Sequence, residues 1–143
     1  MLDKFETYLN MHNYQHRRSI TKLRTSSHKL EVESGRWNDV ERKRRICKNC
    51  SLQKVEDELH LIFECQMFVN ERIELFNVLK HKLNIHDPLN YPQDEIVKMI
   101  FSSTDLTLLN AFGKFVNNAM VKRENTIFYT LPPHYIFFKT IEK

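Results

Sequence analysis

The chain has 143 residues and a net charge of +4, with 41% hydrophobic and 28% charged residues, a balance typical of one folded domain. Only 2 glycines and 4 prolines are present, too few for the many tight turns of a β-sandwich or barrel. No stretch approaches the roughly 18 apolar residues of a membrane span, and the N-terminus is polar from Asp3 onward. We therefore expect an all-α intracellular protein, nuclear or cytoplasmic, with no membrane partner.

Two helices are predicted before the first cysteine. Residues 3–10 form a short amphipathic helix with Phe5, Tyr8 and Leu9 on one side. A longer helix is predicted over 17–30, where apolar and small side chains recur at helical spacing, at Ile20, Leu23, Ser27 and Leu30.

Gly35 and Trp37 lie between these helices and the first cysteine. Gly35 is free to take a positive φ and is expected to end the helical stretch. Trp37 is expected to cover the core beside the cysteines, and stacking on a nucleic-acid base is the alternative.

Three helices are predicted after the last cysteine. The first covers 68–83, and its apolar stripe includes one arginine, Arg72. The second covers 93–101. Ser103 or Thr104 caps the third, whose apolar side comprises Leu108, Leu109, Phe112, Phe115, Val116, Ala119 and Met120.

All three cysteines lie in one short window, together with one histidine, in the pattern Cys-x2-Cys-x9-His-x4-Cys. Three thiolates and one imidazole suit tetrahedral zinc, and a two-residue gap lets the first two sulfurs face one ion. Four protein ligands leave no open coordination position for chemistry. We therefore predict a small helical domain organised around a structural CCHC zinc knuckle, with the metal ligands Cys47, Cys50, His60 and Cys65.

Other interpretations of the cysteines explain less. A thioredoxin-like Cys-x-x-Cys needs a βαβ context, which the sequence does not predict, and a nucleophilic cysteine leaves the other two unexplained. In a reducing compartment a disulfide framework is not expected. The remaining alternative is three buried, apolar cysteines that lie beside a histidine by coincidence.

His60 is chosen as the ligand because it alone lies between the second and third cysteines. Residues five apart on an α-helix point about 140° away from each other, so the helix that carries His60 must tighten or end near Cys65. His28 is the reserve ligand, with a packed, hydrogen-bonded role as its alternative. The other histidines are expected at the surface: His12, His16, His81, His86 and His134.

Three acids, Glu56, Asp57 and Glu58, precede His60. They are expected to begin the ligand-bearing helix, where negative charge opposes the positive end of the helix dipole. A catalytic role for these carboxylates is the alternative.

The basic residues are concentrated before the first cysteine. Residues 17–45 contain ten lysines and arginines against four acids. A polyanion-binding face has this composition, and so does an ordinary solvated surface.

The segments LRTSSHKLEVESGRW, RRICKNC and VEDELHLIFEC resemble the C-terminal zinc-binding region of reverse transcriptase polyproteins from jockey-like non-LTR retrotransposons. The resemblance covers roughly residues 8–123 and continues more weakly through FGKFVNNAMVKR. The matching positions are Leu23, Arg24, Ser27, His28, Leu30, Glu33, Gly35, Arg36, Cys47, Cys50, Glu56, Asp57, Glu58, His60, Phe63 and Cys65.

This resemblance implies a module that follows a polymerase and helps to engage template RNA or target DNA. Together with the charge distribution, it predicts weakly sequence-selective contacts to phosphates. The predicted contact residues are Arg17, Arg18, Lys22, Arg24, Arg36, Arg42, Lys43, Arg44 and Arg45.

No enzymatic activity and no small-molecule substrate are expected of this chain. Two-metal polymerisation needs clustered aspartates, whereas Asp39, Asp57, Asp87, Asp94 and Asp105 are scattered singly.

The predicted domain covers residues 1–123, and the aromatic-rich tail 124–143 departs from the family pattern and is expected to be extended or poorly packed. The resulting hypothesis is a zinc-stabilised nucleic-acid-binding module derived from a retrotransposon reverse transcriptase. The alternative is a zinc-stabilised protein-interaction module or a non-functional remnant of a mobile element.

Overall fold

The structure, a computed structural model, describes residues 6–130, with side chains up to Thr126. Its α-helices are α1 (Tyr14–Arg24), α2 (Glu31–Trp37), α3 (Val69–Lys82), α4 (Gln93–Ser102) and α5 (Leu106–Thr130). Between residues 6 and 130 there is no β-strand, only a single antiparallel bridge between Ile46 and Val55. The all-α prediction is confirmed. None of the helices in this part of the chain is both long enough and apolar enough to cross a bilayer.

Helix α5 is the central element, because α1, α3 and α4 all pack against it. Its predicted apolar side is buried, apart from the half-buried Met120. The ring of Phe112 meets that of Phe101 edge-on with centroids 5.8 Å apart, and Phe101 meets Tyr8 in the same way at 6.2 Å. These rings join α5 and α4 to the N-terminal segment.

Helices α1 and α5 approach closely at Gly113. A Cβ atom at this position would lie 2.7 Å from Cβ of His16 and 3.0 Å from its backbone oxygen, so only glycine fits. His16 is half-buried at this contact, which makes the prediction of a surface position wrong. Burial and the nearby Lys114 lower the pKa of His16.

The prediction of a helix over 3–10 is wrong for its described part. Thr7–Asn10 form a 3₁₀ turn, in which Tyr8 is buried and Leu9 is exposed. Phe5 lies outside the described residues.

The predicted helix over 17–30 ends early, at Arg24. Ser26 takes a left-handed φ of 57°, and the N–H of Ser27 donates to the carbonyl of Lys22 at 2.8 Å. This closes α1 with the motif that glycine usually supplies, so the helical spacing beyond Ser26 is accidental.

Gly35 does not end a helix but lies inside α2 with an ordinary φ. A Cβ atom at Gly35 would lie 2.5 Å from Cγ of Arg45, so the missing side chain makes room for that arginine. The helix ends instead because Asp39, two residues after its last residue, takes a left-handed φ of 55°. The N–H of Val40 then donates to the carbonyl of Gly35 at 2.8 Å.

Trp37 does not cover the core. It is the last residue of α2, and 78% of it is exposed. The guanidinium of Arg36 lies 5.2 Å from the centre of its ring. The core beside the cysteines is filled instead by Leu61, Ile62 and Phe63.

The helices after the cysteines begin and end close to the predicted residues. In α3, Arg72, Leu75 and Leu79 are buried, whereas Ile73 is 56% exposed. The N-cap of α5 is Asp105 rather than Ser103 or Thr104, because Oδ1 of Asp105 accepts hydrogen bonds from two free N–H groups of the first turn.

Helix α5 passes through the predicted domain boundary at 123 and continues to Thr130. The rest of the aromatic-rich tail, 131–143, lies outside the described residues.

Candidate metal centre

The four predicted ligands lie together. The ligand atoms of Cys47, Cys50, His60 and Cys65 are all within 4.8 Å of one another. The sulfurs of Cys47 and Cys65 are 3.9 Å apart, and the sulfur of Cys50 lies 3.4 Å from Nε2 of His60. Cys50 is half-buried and the other three are buried. The cluster can therefore bind a metal ion.

The first two cysteines lie in a tight loop between the two bridged residues. The N–H of Cys47 donates to the carbonyl of Lys54 at 2.9 Å, and Gln53 takes a left-handed φ of 54° where the loop turns back. The N–H of Asn49 donates to the sulfur of Cys47 at 3.4 Å. This N–H stabilises negative charge on the sulfur, as a metal-bound thiolate requires.

His60 and Cys65 are brought to the same side of the chain by a π-helical turn, His60–Glu64. The N–H of Cys65 donates to the carbonyl of His60 at 2.8 Å, which closes a turn of five residues instead of four. The chain then becomes extended at Cys65. The predicted end of the helix is therefore correct, but the turn before it widens rather than tightens.

Asp57 caps this turn, as the sequence predicts for the acids before His60. Its Oδ1 accepts from the N–H of His60 at 2.8 Å, so the carboxylate fixes the backbone of a ligand. Glu58 is bound to His28 instead, with Nε2 of His28 at 2.8 Å from Oε1.

His28, the reserve ligand, has the packed, hydrogen-bonded role. Besides its contact with Glu58, its Nδ1 accepts from the N–H of Leu30 at 3.3 Å. His12, His81 and His86 are exposed, as predicted. His134 lies outside the described residues.

Without a metal ion, Cys47, His60 and Cys65 shift one another's pKa values. The neighbouring thiol of Cys65 and burial raise the pKa of Cys47 to about 12. The hydrogen bond from Cys47 lowers the pKa of Cys65 against the effect of burial. Contact with Cys47 raises the pKa of His60, again against burial. The protein's own groups therefore favour protonated forms at Cys47 and His60, whereas a bound metal ion favours the deprotonated forms that act as ligands.

Arg72 of α3 binds the backbone at the end of the π turn. Its guanidinium donates to the carbonyls of Ile62 at 2.7 Å, Leu61 at 3.0 Å and Cys65 at 2.9 Å. Burial lowers the pKa of Arg72, and the nearby Cys65 and Glu64 oppose this. The role was missed in the sequence, although a charged residue in an apolar stripe was its signal.

Glu56 does not help to begin the helix that carries His60, contrary to expectation. Its side chain is buried and forms a two-pronged ion pair with Arg123 of α5, at 2.9 Å from Nε and 2.7 Å from a terminal nitrogen. No local pattern could reveal a contact between residues 67 positions apart.

The nine residues predicted to contact nucleic acid differ in their surroundings. Arg17 donates to the carbonyl of Met11 at 3.0 Å, and Arg24 pairs with Glu6 at 3.3 Å. Arg45 is used inside the fold, where it donates to two backbone carbonyls at 2.8 Å. The remaining six are exposed, as Arg24 is: Arg18, Lys22, Arg36, Arg42, Lys43 and Arg44. Three of them also form ion pairs, Arg36 with Glu33 at 2.7 Å, Arg42 with Asp57 at 3.3 Å and Lys43 with Glu41 at 3.3 Å.

No protein-family model, no curated protein and no solved structure matches this chain. The resemblance to the reverse transcriptase region therefore stays a prediction.

Arg72→Met is expected to lower the free energy of unfolding by about 3 kcal/mol, because a buried carbonyl without a partner costs roughly 1–3 kcal/mol. Urea unfolding followed by circular dichroism measures the change. Lys80→Met is the control, since Lys80 is an exposed cation on the same helix. Equal stability of the two variants would contradict the role assigned to Arg72.

Proposed function

We propose that this protein is a zinc-stabilised module that binds single-stranded nucleic acid, has no catalytic activity, and derives from a non-LTR retrotransposon reverse transcriptase. Two observations carry the proposal, the Cys3His cluster and the exposed ring of Trp37 with the guanidinium of Arg36 over it. The retrotransposon origin has only the sequence resemblance as its support.

Zinc is the ion that the cluster fits best. With Zn–S of about 2.3 Å and Zn–N of about 2.1 Å, a tetrahedral site separates two sulfurs by about 3.8 Å and a sulfur from a nitrogen by about 3.6 Å. The corresponding distances are 3.9 Å between Cys47 and Cys65 and 3.4 Å between Cys50 and His60. Thiolates also select against the oxygen-seeking ions magnesium and calcium.

A structural role for the ion follows from the ligand count. Cys47, Cys50, His60 and Cys65 would fill all four positions of a tetrahedral ion and leave none for water or substrate. Among residues 6–126 this is the one group of three or more side chains arranged to hold a metal. Polymerase chemistry needs a cluster of carboxylates, and none arranged to hold a metal is found among these residues.

The basic turn, defined as Arg42–Arg44, lies against α2 and forms the proposed interface with Trp37. Arg45 joins the two segments, because it packs over Gly35 and donates to the carbonyl of Val32 in α2. The three side chains of the turn are exposed, and two of them form ion pairs at the surface, Arg42 with Asp57 and Lys43 with Glu41, both at 3.3 Å. An exposed aromatic ring next to cations is the arrangement that binds single strands, by stacking on a base while the cations contact phosphates.

The zinc proposal predicts one zinc ion per chain after purification under reducing, chelator-free conditions, measured by elemental analysis. Cys50→Ser should lower both the zinc content and the melting temperature, because ligand binding and folding are coupled. Ser51→Ala, next to this ligand in an exposed position, is the control. A zinc content near zero in the wild type would contradict the proposal.

The charge of the basic turn is expected to set the salt dependence of binding. With about four phosphate contacts, the affinity for a single strand falls with salt at a log–log slope near −3, about −0.7 per contact. The variant Arg42→Gln, Lys43→Gln, Arg44→Gln removes three cations and should bring the slope to about −1. Zinc content and helicity should stay unchanged, because the pair that Arg42 loses with Asp57 lies at the surface, where such pairs contribute roughly 0–1 kcal/mol. Fluorescence anisotropy of labelled RNA and DNA oligonucleotides at several salt concentrations measures this.

A matched control variant changes the same charge elsewhere: Lys80→Gln, Lys98→Gln, Lys114→Gln, all at exposed positions. It should bind with the wild-type slope. If the zinc-loaded wild type binds no nucleic acid at low salt, the protein-interaction alternative takes the place of this proposal.

Trp37 provides a separate test, because it is the single tryptophan of the sequence. Its fluorescence should be quenched when a single strand binds, since the exposed ring stacks on a base. Trp37→Leu should weaken binding by about 1–3 kcal/mol at every salt concentration and leave the slope unchanged, because stacking involves no phosphate. Binding without quenching would exclude the stacking contact but not the contacts of the basic turn.

A further inference from the structure

The carboxylate of Glu56 lies between the metal cluster and α5. It accepts hydrogen bonds from the N–H of Glu31 at 2.7 Å and from the side-chain amide of Asn49 at 3.2 Å. Its Oε2 also lies 3.8 Å from the sulfur of Cys47. With Arg123 on its other side, this one side chain contacts α2, the cysteine loop, a ligand sulfur and α5.

Asn49 extends the connection to the metal ligands. Its side chain donates to Glu56, while its backbone N–H donates to the sulfur of Cys47. Glu56 therefore fixes the residue that orients and stabilises a ligand. Outer partners of this kind hold metal ligands in place and increase metal affinity.

Arg123 makes this arrangement electrostatically possible. When Cys47 binds a metal as thiolate, its negative charge lies beside the buried carboxylate of Glu56, and the two charges repel each other. The guanidinium of Arg123 neutralises the carboxylate through two hydrogen bonds, at 2.9 and 2.7 Å. Glu56 is 1% exposed and Arg123 is 6% exposed, so water screens neither the carboxylate nor the guanidinium.

We propose that Glu56 and Arg123 are a positioning pair that couples metal binding at the cysteine cluster to docking of the C-terminal half of α5. The inference rests on the proposed zinc centre. Metal binding orders the loop that presents Glu56 to Arg123, and docking of α5 supplies the charge that the metal-bound form needs. Such a coupling is reciprocal, so each event must strengthen the other by the same factor.

The first test measures zinc affinity by competition with a chromophoric chelator. Arg123→Met should reduce affinity about 10- to 100-fold, the usual effect of losing an outer partner of a ligand. Arg123→Lys keeps the charge but not the two parallel hydrogen bonds, so its loss should be smaller. Lys114 is on α5, as Arg123 is, and forms an exposed pair with Glu74 of α3. Lys114→Met breaks this pair and should leave zinc affinity unchanged.

Two further readouts separate positioning from general stability. In cobalt-substituted protein, Arg123→Met should shift the cobalt–thiolate absorption bands, because the surroundings of Cys47 change. In hydrogen exchange, amides 119–126 of α5 should lose protection in zinc-loaded Arg123→Met, while those of α1 and α3 keep it. Removal of zinc from the wild type should expose the same amides first. If Arg123→Met does not fold, Arg123→Lys supplies each comparison.

Unchanged zinc affinity in both Arg123 variants, or an equal loss of protection in all helices, would overturn this inference and leave the zinc centre standing. Failure of the wild-type protein to bind zinc would overturn both.

Discussion

The π turn between His60 and Cys65 is the constraint on which the rest of the structure depends. An α-helical step of five residues would direct the two ligands about 140° apart, whereas the five-residue turn stacks them on one side. A π turn also leaves carbonyls without their usual partners. Arg72 provides these partners, which fixes the position of α3 relative to the cluster.

The second connection from the cluster, through Glu56, reaches α2 and α5. Arg123 lies in the C-terminal half of α5, about three turns beyond Phe112. Through Glu56, the cluster is therefore connected to α5 at a point away from the packed rings. Buried ion pairs add little net stability, but removing one partner leaves an unpaired charge inside the protein. The pair therefore serves to select one arrangement of loop and helix. This matters for a segment, 38–59, that has little regular structure of its own.

The sequence predicts what local periodicity and spacing control. The buried sides of α3 and α5 follow from apolar stripes, and the ligand cluster follows from the spacing of three cysteines and a histidine. Helix ends were less predictable, because Ser26 and Asp39 adopt left-handed conformations that glycine was expected to supply. Gly35 was misread because the side chain that needs its space, Arg45, is ten positions away.

Trp37 and Glu56 were misread for a related reason. A hydrophobic side chain is expected in the core and a carboxylate at a helix start, but burial depends on which segments pack together, and periodicity does not contain that information. Trp37 is exposed at the end of α2, and Glu56 is buried because α5 brings Arg123 to it.

The basic residues of this chain include two groups that sequence alone cannot separate. Arg45, Arg72 and Arg123 point into the fold, where each donates to two or more carbonyl or carboxylate oxygens. A planar, permanently charged fork donates parallel hydrogen bonds from separate nitrogens in a fixed geometry, whereas a lysine has a single nitrogen, which favours arginine at all three positions. The side chains of Arg42, Lys43 and Arg44 are exposed, although Arg42 pairs with Asp57 and Lys43 with Glu41. The count of basic residues before the first cysteine therefore exceeds the charge that can reach a phosphate. A polyanion would meet a small patch beside Trp37, not the whole basic half of the sequence.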